Sequence, residues 1–135
     1  DRKASIAAVT DGSDDVITSS HDPRGPEDKR LPFADAAPGM AGAETLLALS
    51  LNLVREGHVS LNRLMTLLST NPAKILGVDA GSFAPGSAAD LIFIDPDMPW
   101  IVDSTKMAAQ AGNTPFNRVP VQGRARRIMK GGVLL

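Results

Sequence analysis

The sequence of 135 residues contains no cysteine, only one tryptophan and only two histidines, His21 and His58. Without cysteine, the chain can form no disulfide, no thiol nucleophile and no thiolate metal site. This absence suits a protein of the cytoplasm. No apolar run approaches the roughly 20 residues that cross a bilayer, and the first residues do not open a signal-like apolar segment. We therefore expect a cytoplasmic protein without a membrane partner.

The chain also has no marked excess of positive or negative charge. Fourteen Lys and Arg residues face fifteen Asp and Glu residues, which leaves a net charge of −1. No basic run alternates with aromatic residues, so we expect no nucleic-acid partner. An apolar fraction of 43% with 21% charged residues is typical of a globular protein. The length allows one ordinary domain with a modest core.

The first 40 residues change character at Ser19. Residues 2–9 can form a short helical turn, residues 11–14 are turn-forming, and the β-branched run Asp15-Val16-Ile17-Thr18 predicts a buried strand. From Ser19 to Met40, four prolines and two glycines interrupt every periodicity. We predict a loop of about 20 residues, a length that is usually functional or disordered. A solvated linker is the alternative.

Residues 42–77 predict three helices. The first spans residues 42–56, is strongly apolar and ends at Gly57. Ser60 is a typical N-cap for the second. The third begins after Asn71, with Pro72 in its first turn and Gly77 at its end. The apolar positions indicate faces that pack in a core, and none of them forms a cofactor-binding motif.

The last third of the chain predicts strands. Residues 90–95 form one candidate strand, and the segment Pro96-Asp97-Met98-Pro99 is expected to interrupt it before residues 100–102. Further candidate strands span residues 118–122 and 125–130, and Gly131-Gly132 turns the chain into residues 133–135. These strands predict a small sheet that is incomplete on its own.

Several short motifs occur together in a specific order. They are Asp15-Val16-Ile17 with His21 and Pro23, Lys29-Arg30-Leu31-Pro32-Phe33, Pro38 to Thr45, Leu68 to Gly77, Ala84 to Leu91, Asn113-Thr114-Pro115-Phe116 and Gly123-Arg124. Each motif alone is weak, but their order and spacing resemble the C-terminal third of dihydroorotases and related cyclic amidohydrolases. The resemblance covers nearly the whole chain.

The resemblance implies an α/β fold that is the C-terminal part of a metal-dependent (β/α)8 barrel, the TIM barrel, with part of a small β domain. Residues 1–80 would supply the last barrel strand, the active-site loop and the following helices. Residues 81–135 would supply the C-terminal segment of the small domain. Active sites of such barrels lie where the strands end and their loops begin, and residues 20–24 fall at that position.

The resemblance also implies a zinc hydrolase of pyrimidine biosynthesis that interconverts dihydroorotate and N-carbamoyl-aspartate. In the family, zinc polarises the ring amide carbonyl and acidifies a water, while a carboxylate at the end of the last strand binds metal and transfers the proton. The His-x-His pair and the bridging lysine belong to earlier strands that this chain lacks. We expect this chain alone to bind no zinc and to be inactive.

The carboxylate position is altered in this sequence. Ser20 stands where the family carries its catalytic Asp, and a serine hydroxyl has no pKa near neutrality with which to act as a base. Asp22 is a possible substitute, because alternation along an extended strand returns it to the side of Ser20. His21 resembles a family histidine at the strand end, which is either structural or a weak candidate for a metal ligand.

Three further residues are candidates for substrate binding. Arg24 replaces a family histidine, and its guanidinium group could bind the carboxylate of a molecule such as dihydroorotate. Pro38 and Gly39 match the family loop whose backbone groups bind the substrate ring, although the same residues could form only a turn before a helix.

Three hypotheses follow from the sequence. The chain contributes to a dihydroorotase site that is completed elsewhere, or it is a non-catalytic relative kept as a structural partner of aspartate transcarbamoylase. A third possibility is a truncated product, whose open strand edges and apolar surface would cause self-association or aggregation. Across these hypotheses, the expected partners of the chain are a dihydroorotate-like small molecule and either another copy of the chain or aspartate transcarbamoylase.

Overall fold

The computed structural model describes all 135 residues. All of its helices lie within residues 2–76, and all of its strands lie within residues 91–134. The helical elements are α1 (Arg2–Asp11), α2 (Pro26–Lys29), a 3-10 helix (Ala43–Thr45), α3 (Leu46–Arg55), α4 (Leu61–Met65), a π-helical segment (Thr66–Thr70) and α5 (Asn71–Leu76). The strands are β1 (Leu91–Ile101), β2 (Pro120–Lys130) and β3 (Val133–Leu134). None of the helices has both the length and the apolar character that a membrane span requires.

The ends of the helices follow the expected capping chemistry. The carboxylate of Asp1 accepts a hydrogen bond from the Lys3 N–H group at 3.0 Å and caps α1. The Ser60 hydroxyl accepts from the Arg63 N–H group at 3.2 Å, which confirms the predicted N-cap of α4. Gly77 ends α5 with a φ of 66°, a conformation that glycine adopts without steric cost.

The third predicted helix is confirmed as α5, which has Pro72 in its first turn and ends at Gly77. It follows the second predicted helix without a gap. The π-helical segment connects α4 to α5, and the Asn71 N–H group donates to the Thr66 carbonyl five residues earlier. Pro72 follows directly. Because a proline within a helix has no N–H group and its ring clashes with the carbonyl four residues before it, a wider turn here lets the helix continue. A local change of helical pitch therefore links the two predicted helices.

Residues 15–18 do not form the predicted strand. They have no regular secondary structure, and the Ile17 N–H group donates instead to the carbonyl of Leu67 at 3.2 Å. A β-strand requires a neighbouring strand with which to exchange backbone hydrogen bonds. No segment of this chain supplies that neighbour, and only His21 and Met40 form an isolated parallel bridge. The strand prediction is wrong for the chain as described.

The predicted loop of residues 19–40 is not entirely irregular. It contains α2, which has Pro26 in its first turn followed by Glu27 and Asp28. Proline fits the first turn of a helix because the N–H group it lacks would have no partner there. Acidic residues in that turn also interact favourably with the helix dipole.

The three strands form an antiparallel sheet in the order β1-β2-β3. The predicted interruption at residues 96–99 is wrong, because β1 continues through both prolines. Asp95 pairs with Arg124 and Pro99 pairs with Gln122, so three residues of β1 stand opposite Gly123 alone. This bulge removes the prolines from the regular ladder. Gly123 has a φ of 101°, and the predicted strands before and after it are one strand.

Helix α3 packs against β2 and forms the principal apolar contact. Ala48, Val102 and Val121 are buried there, with Trp100 and Phe116 packed at the edge. Only 13 of the 135 residues are buried, whereas fifteen large apolar side chains are exposed, including a fully open Phe33. The chain therefore buries a small core and leaves many large apolar side chains exposed.

Candidate functional site

Two segments that the sequence analysis singled out lie side by side. We call residues 20–24 and 38–43 the loop pair. The Asp22 N–H group donates to the Met40 carbonyl at 2.9 Å. The His21 Nδ1 atom accepts from the N–H groups of Gly42 and Ala43, at 3.2 and 3.1 Å. The structure thus brings His21, Asp22 and Arg24 together with Pro38 and Gly39.

The contacts of His21 restrict its chemistry. Because Nδ1 accepts two hydrogen bonds, the proton of the neutral imidazole lies on Nε2. Neither nitrogen then has a lone pair free for a metal ion. In this arrangement the histidine connects the end of the first segment to the beginning of the 3-10 helix.

Asp22 and Arg24 form an ion pair. The Nη2 atom of Arg24 lies 2.9 Å from Oδ2 of Asp22, and the side chains are 41% and 48% exposed. The roles predicted for these residues therefore compete: the carboxylate that could accept a proton occupies the guanidinium that could bind a substrate. The Nε atom of Arg24 is buried and has no hydrogen-bond partner, and it is the only such side-chain atom in the structure.

Gly39 allows the two segments to approach closely. Its φ is 105°, and a Cβ atom at this position would lie 2.6 Å from both the carbonyl oxygen and Oδ2 of Asp22. Any other residue would have to displace Asp22 and its partner Arg24. Pro38, which precedes Gly39, is exposed. Glycine is thus required here by contact as well as by conformation.

Ser20 is exposed and has a φ of 46°, one of two positive values outside glycine. Its N–H group lies 3.4 Å from the hydroxyl oxygen of Thr18. The left-handed region is uncommon for serine, and non-glycine residues held in it cluster at functional sites. The hydroxyl of Ser20 makes no hydrogen bond in the structure.

Asn113 was not predicted as a site residue, although its motif supported the family resemblance. Its Oδ1 atom accepts from the Arg24 N–H group at 2.8 Å, and its Nδ2 atom donates to the Gly39 carbonyl at 3.0 Å. Its backbone carbonyl accepts from the Ala41 N–H group at 3.0 Å. Asn113 lies 89 residues from Arg24 and 74 residues from Gly39 along the chain. No local sequence pattern could therefore have predicted these hydrogen bonds.

An open cavity of 490 Å³ borders the loop pair between α1 and α3. Val9, Val16, Ile17, Leu46 and Leu53 contribute most of its apolar wall, and Ser19, Met40 and Gly42 form the side next to the loop pair. Asp22 and Arg24 do not line it. The cavity therefore lies next to the candidate site but does not contain its charged residues.

The charged groups with a perturbed pKa lie away from the loop pair. Hydrogen bonds from Ser13 lower the pKa of Asp11, and those from Thr105 lower the pKa of Asp103. The pKa of Asp90 is lowered by the Lys130 side chain and then by the Gly131 N–H group. Asp11 and Asp90 are exposed and Asp103 is partly exposed, and each shift is explained by local hydrogen bonding.

The residues of this chain do not form a metal site. No three His, Asp or Glu side chains lie close enough together to bind an ion. The hydrogen bonds to His21 Nδ1 also remove the one imidazole near the loop pair from consideration as a ligand in this geometry.

The profile of the amidohydrolase family matches residues 2–135. The chain belongs to the amidohydrolase family. Members of this family are generally metal-dependent. The chain is 44% identical over 125 residues to a dihydroorotase of Geobacter metallireducens, which covers 93% of the chain and 30% of the relative. It is 42% identical to a dihydroorotase of Geobacter sp. strain M21, over 99% of the chain and 32% of the relative. The chain thus spans about a third of the length of these relatives.

Solved structures of two amidohydrolases have the same fold over this region. The L-hydantoinase of Arthrobacter aurescens superposes with a TM-score of 0.87 at 32% identity, over 96% of the chain and 30% of that protein. The dihydropyrimidinase of Brevibacillus agri NCHU1002 gives a TM-score of 0.89 at 25% identity, over 97% and 30%. These similarities confirm the predicted resemblance and the α/β fold class of a partial (β/α)8 barrel with a small sheet. The division at residue 80 and the site residues remain predictions.

Proposed function

We propose that this chain supplies substrate-binding loops to a dihydroorotase-type enzyme. The reaction would be the hydrolysis of the ring amide of dihydroorotate to N-carbamoyl-aspartate, or its reverse, in pyrimidine biosynthesis. Similarity to curated dihydroorotases at 36–44% identity supports this substrate class. The observation that carries the proposal is the buried Nε atom of Arg24, which lies without a partner at the loop pair.

Arg24 fits the role of a carboxylate-binding residue. A guanidinium group binds a carboxylate with two parallel N–H bonds. The Nε and Nη2 atoms form one edge of that fork, and Nη2 is currently bound to Asp22. A substrate carboxylate on this edge would give the unpaired Nε–H an acceptor and would compete with Asp22 for Nη2.

The Pro38–Gly39 backbone fits the role of a ring-binding element. The Gly39 carbonyl already accepts one hydrogen bond from Asn113, and a carbonyl oxygen has two lone pairs. One lone pair therefore remains for an N–H group of a cyclic amide. Because Gly39 contacts Asp22, a ring bound at this turn would lie next to the Asp22–Arg24 ion pair.

Asp22 is the carboxylate of the loop pair that could accept a proton, since Ser20 has no basic group. Displacement of Asp22 from Arg24 by a substrate carboxylate would release it for that role. The zinc of a complete family site would depend on residues outside those described here, because this chain brings no three ligands together.

The second candidate function is that of a non-catalytic partner of aspartate transcarbamoylase. Two features favour it: the family resemblance implies a carboxylate at the position of Ser20, and the nearby Asp22 is bound to Arg24. The many exposed apolar side chains also support an association with that enzyme or with further copies of the chain. We propose a cytoplasmic location for either function, on the absence of cysteine.

The test uses the complete protein that carries this chain. Isothermal titration with dihydroorotate measures binding, and chromatographic detection of N-carbamoyl-aspartate measures turnover. Arg24→Ala is expected to weaken binding by about 100-fold, through the loss of hydrogen bonds to a charged group, with Arg30→Ala as a matched control, because Arg30 is paired only with the exposed Glu27. If the parent is a hydrolase, Asp22→Asn should lower turnover by roughly 10²–10⁴-fold.

The same experiment separates the two functions. A parent that binds dihydroorotate without turnover, together with turnover in Ser20→Asp, would favour the non-catalytic function. Co-purification of aspartate transcarbamoylase with that parent would support the partner role. A parent that neither binds nor hydrolyses dihydroorotate would contradict the proposed substrate class.

A further inference from the structure

The segment between β1 and β2, residues 102–119, lies across the loop pair. The Ala108 N–H group donates to the Glu44 carboxylate at 2.8 Å, directly after the second segment of the loop pair. Within the connecting segment, the Asn117 side chain accepts from the Ser104 N–H group at 3.0 Å. The contact between Ala108 and Glu44 therefore holds the connection on the helical part of the chain, and Asn113 contacts both loops.

Asn113 is the one residue that binds both segments of the loop pair through its side chain. Its amide oxygen accepts from Arg24 and its amide nitrogen donates to Gly39, while its backbone carbonyl accepts from Ala41. A side-chain amide is suited to this position because it offers a donor and an acceptor in one plane. Aspartate lacks the donor, and alanine lacks both groups.

The two backbone groups that Asn113 binds belong to the proposed substrate-binding residues. Arg24 would bind the carboxylate of a substrate, and the carbonyl of Gly39 would bind its ring. A ligand that contacts both requires a fixed separation between them, and a displacement of about 1 Å can cost a large factor in an enzyme's rate. The side chain of Asn113 binds a backbone group of each residue and so links their positions.

We propose that Asn113 is a positioning residue, which aligns Arg24 with the Pro38–Gly39 turn so that one ligand with a carboxylate and a cyclic amide can contact both. This inference rests on the proposed function for its ligand. Its geometric part, the alignment of the loop pair by a residue of the β1–β2 connection, can be measured without any ligand.

The test compares Asn113→Ala and the nearly isosteric Asn113→Asp with Asn117→Ala in the complete protein. Asn117 is the control because it lies in the same connection and also caps a backbone N–H group, yet makes no contact with the loop pair. Hydrogen exchange without ligand should become faster at the Arg24 and Ala41 amides in Asn113→Ala, and it should stay unchanged there in Asn117→Ala. In Asn113→Asp, which keeps the oxygen that accepts from Arg24 and loses the donor to Gly39, the increase should be confined to Ala41.

Ligand binding gives the second readout. Dihydroorotate should bind about tenfold more weakly to Asn113→Ala, the effect of roughly one hydrogen bond. Dihydrouracil, which has the ring without the carboxylate, should lose less affinity. In the double variant Arg24→Ala/Asn113→Ala, the second substitution should add little, because alignment of Arg24 no longer matters.

The outcomes distinguish this inference from the proposed function. Unchanged exchange at Arg24 and Ala41 in Asn113→Ala would overturn the positioning role, even if the parent binds dihydroorotate. Additive losses of affinity in the double variant would overturn it as well. A parent that binds no dihydroorotate refutes the proposed function, while faster exchange confined to the loop pair would still support alignment by Asn113.

Discussion

Polar side chains of His21 and Asn113 hold the loop pair together by binding backbone groups, whereas α3 and β2 are held together by buried apolar side chains such as Ala48 and Val121. Hydrogen bonds are directional, so they fix the relative position of two segments. Apolar contacts are not directional, and they contribute in proportion to the area that they remove from water. The polar contacts of the loop pair are therefore expected to determine how its two segments are aligned. The apolar contacts between α3 and β2 are expected to determine the stability of the fold.

This difference predicts which property each substitution will change. A substitution in the loop pair should alter ligand binding with little effect on unfolding. A substitution in the apolar contacts should alter the free energy of unfolding first. Four substitutions test this separation.

The largest effect is expected for Leu64→Ala. The Leu64 side chain is completely buried in α4, and truncation of such a leucine typically costs about 2–5 kcal/mol in unfolding free energy. Urea unfolding followed by circular dichroism measures the loss. Leu61→Ala, at a position that is 39% exposed in the same helix, is the control. Equal losses in the two variants would show that α4 does not pack as described.

Gly39→Ala should act on binding. The added Cβ atom would lie 2.6 Å from Asp22 Oδ2, so the ion pair with Arg24 must move. Misalignment of this kind is expected to weaken dihydroorotate binding by about 100-fold, measured by isothermal titration. Gly57→Ala is matched to it, since Gly57 has a φ of 75° and no atom within 4 Å of the added Cβ. Equal affinities in the two variants would refute the proposed contact.

Gly123→Ala tests the contact between α3 and β2. An added Cβ atom would overlap the Leu51 side chain, so the strand or the helix must shift. Overpacking of this kind costs about 1–3 kcal/mol. The unfolding free energy should fall below that of Gly86→Ala, where the positive φ is similar and space is open. A loss of unfolding free energy no larger than in Gly86→Ala would mean that α3 can move away from the added Cβ atom without loss of stability.

The smallest effect is expected for Asp90→Asn at the sheet edge. Lys130 and the Gly131 N–H group lower the pKa of Asp90 below its unfolded value. Its contribution to stability is therefore present above the unfolded pKa of about 3.9 and is lost as the pH falls through the folded pKa. The variant should melt slightly earlier than the parent near neutral pH, and this difference should vanish in acid. Asp97→Asn, at an exposed position in the bulge of β1, is the control. A difference in melting temperature that stays constant with pH would contradict this account.

Local patterns predicted the helices well, because their signals lie within a few residues. Ser60 caps α4 and Gly77 ends α5 as expected. Pro72 lies in the first turn of α5 as predicted. The interruption predicted at residues 96–99 was wrong, because a bulge opposite Gly123 accommodates both prolines within one strand. Such compensation depends on packing and on the partner strand, which a local pattern does not contain.

The candidate site was only partly accessible to sequence reasoning. The residues of the loop pair could be named from the family resemblance, but neither the ion pair between Asp22 and Arg24 nor the occupied Nδ1 atom of His21 was predicted. Asn113 remained unassigned. These features depend on distances between residues that are far apart in the chain or on side-chain directions, and no spacing rule expresses either.

The sequence by itself determined the membership in the amidohydrolase family, the helices before the strands, and the presence of Ser20 where relatives are expected to carry a carboxylate. Those properties follow from residue identity and order. The tertiary structure alone decided that Asp22 binds Arg24, that His21 presents Nδ1 to two backbone N–H groups, and that Asn113 connects the two loops. The physical reason is that a hydrogen bond acts only over about 3 Å, so its partners are fixed by the fold and not by their separation along the chain.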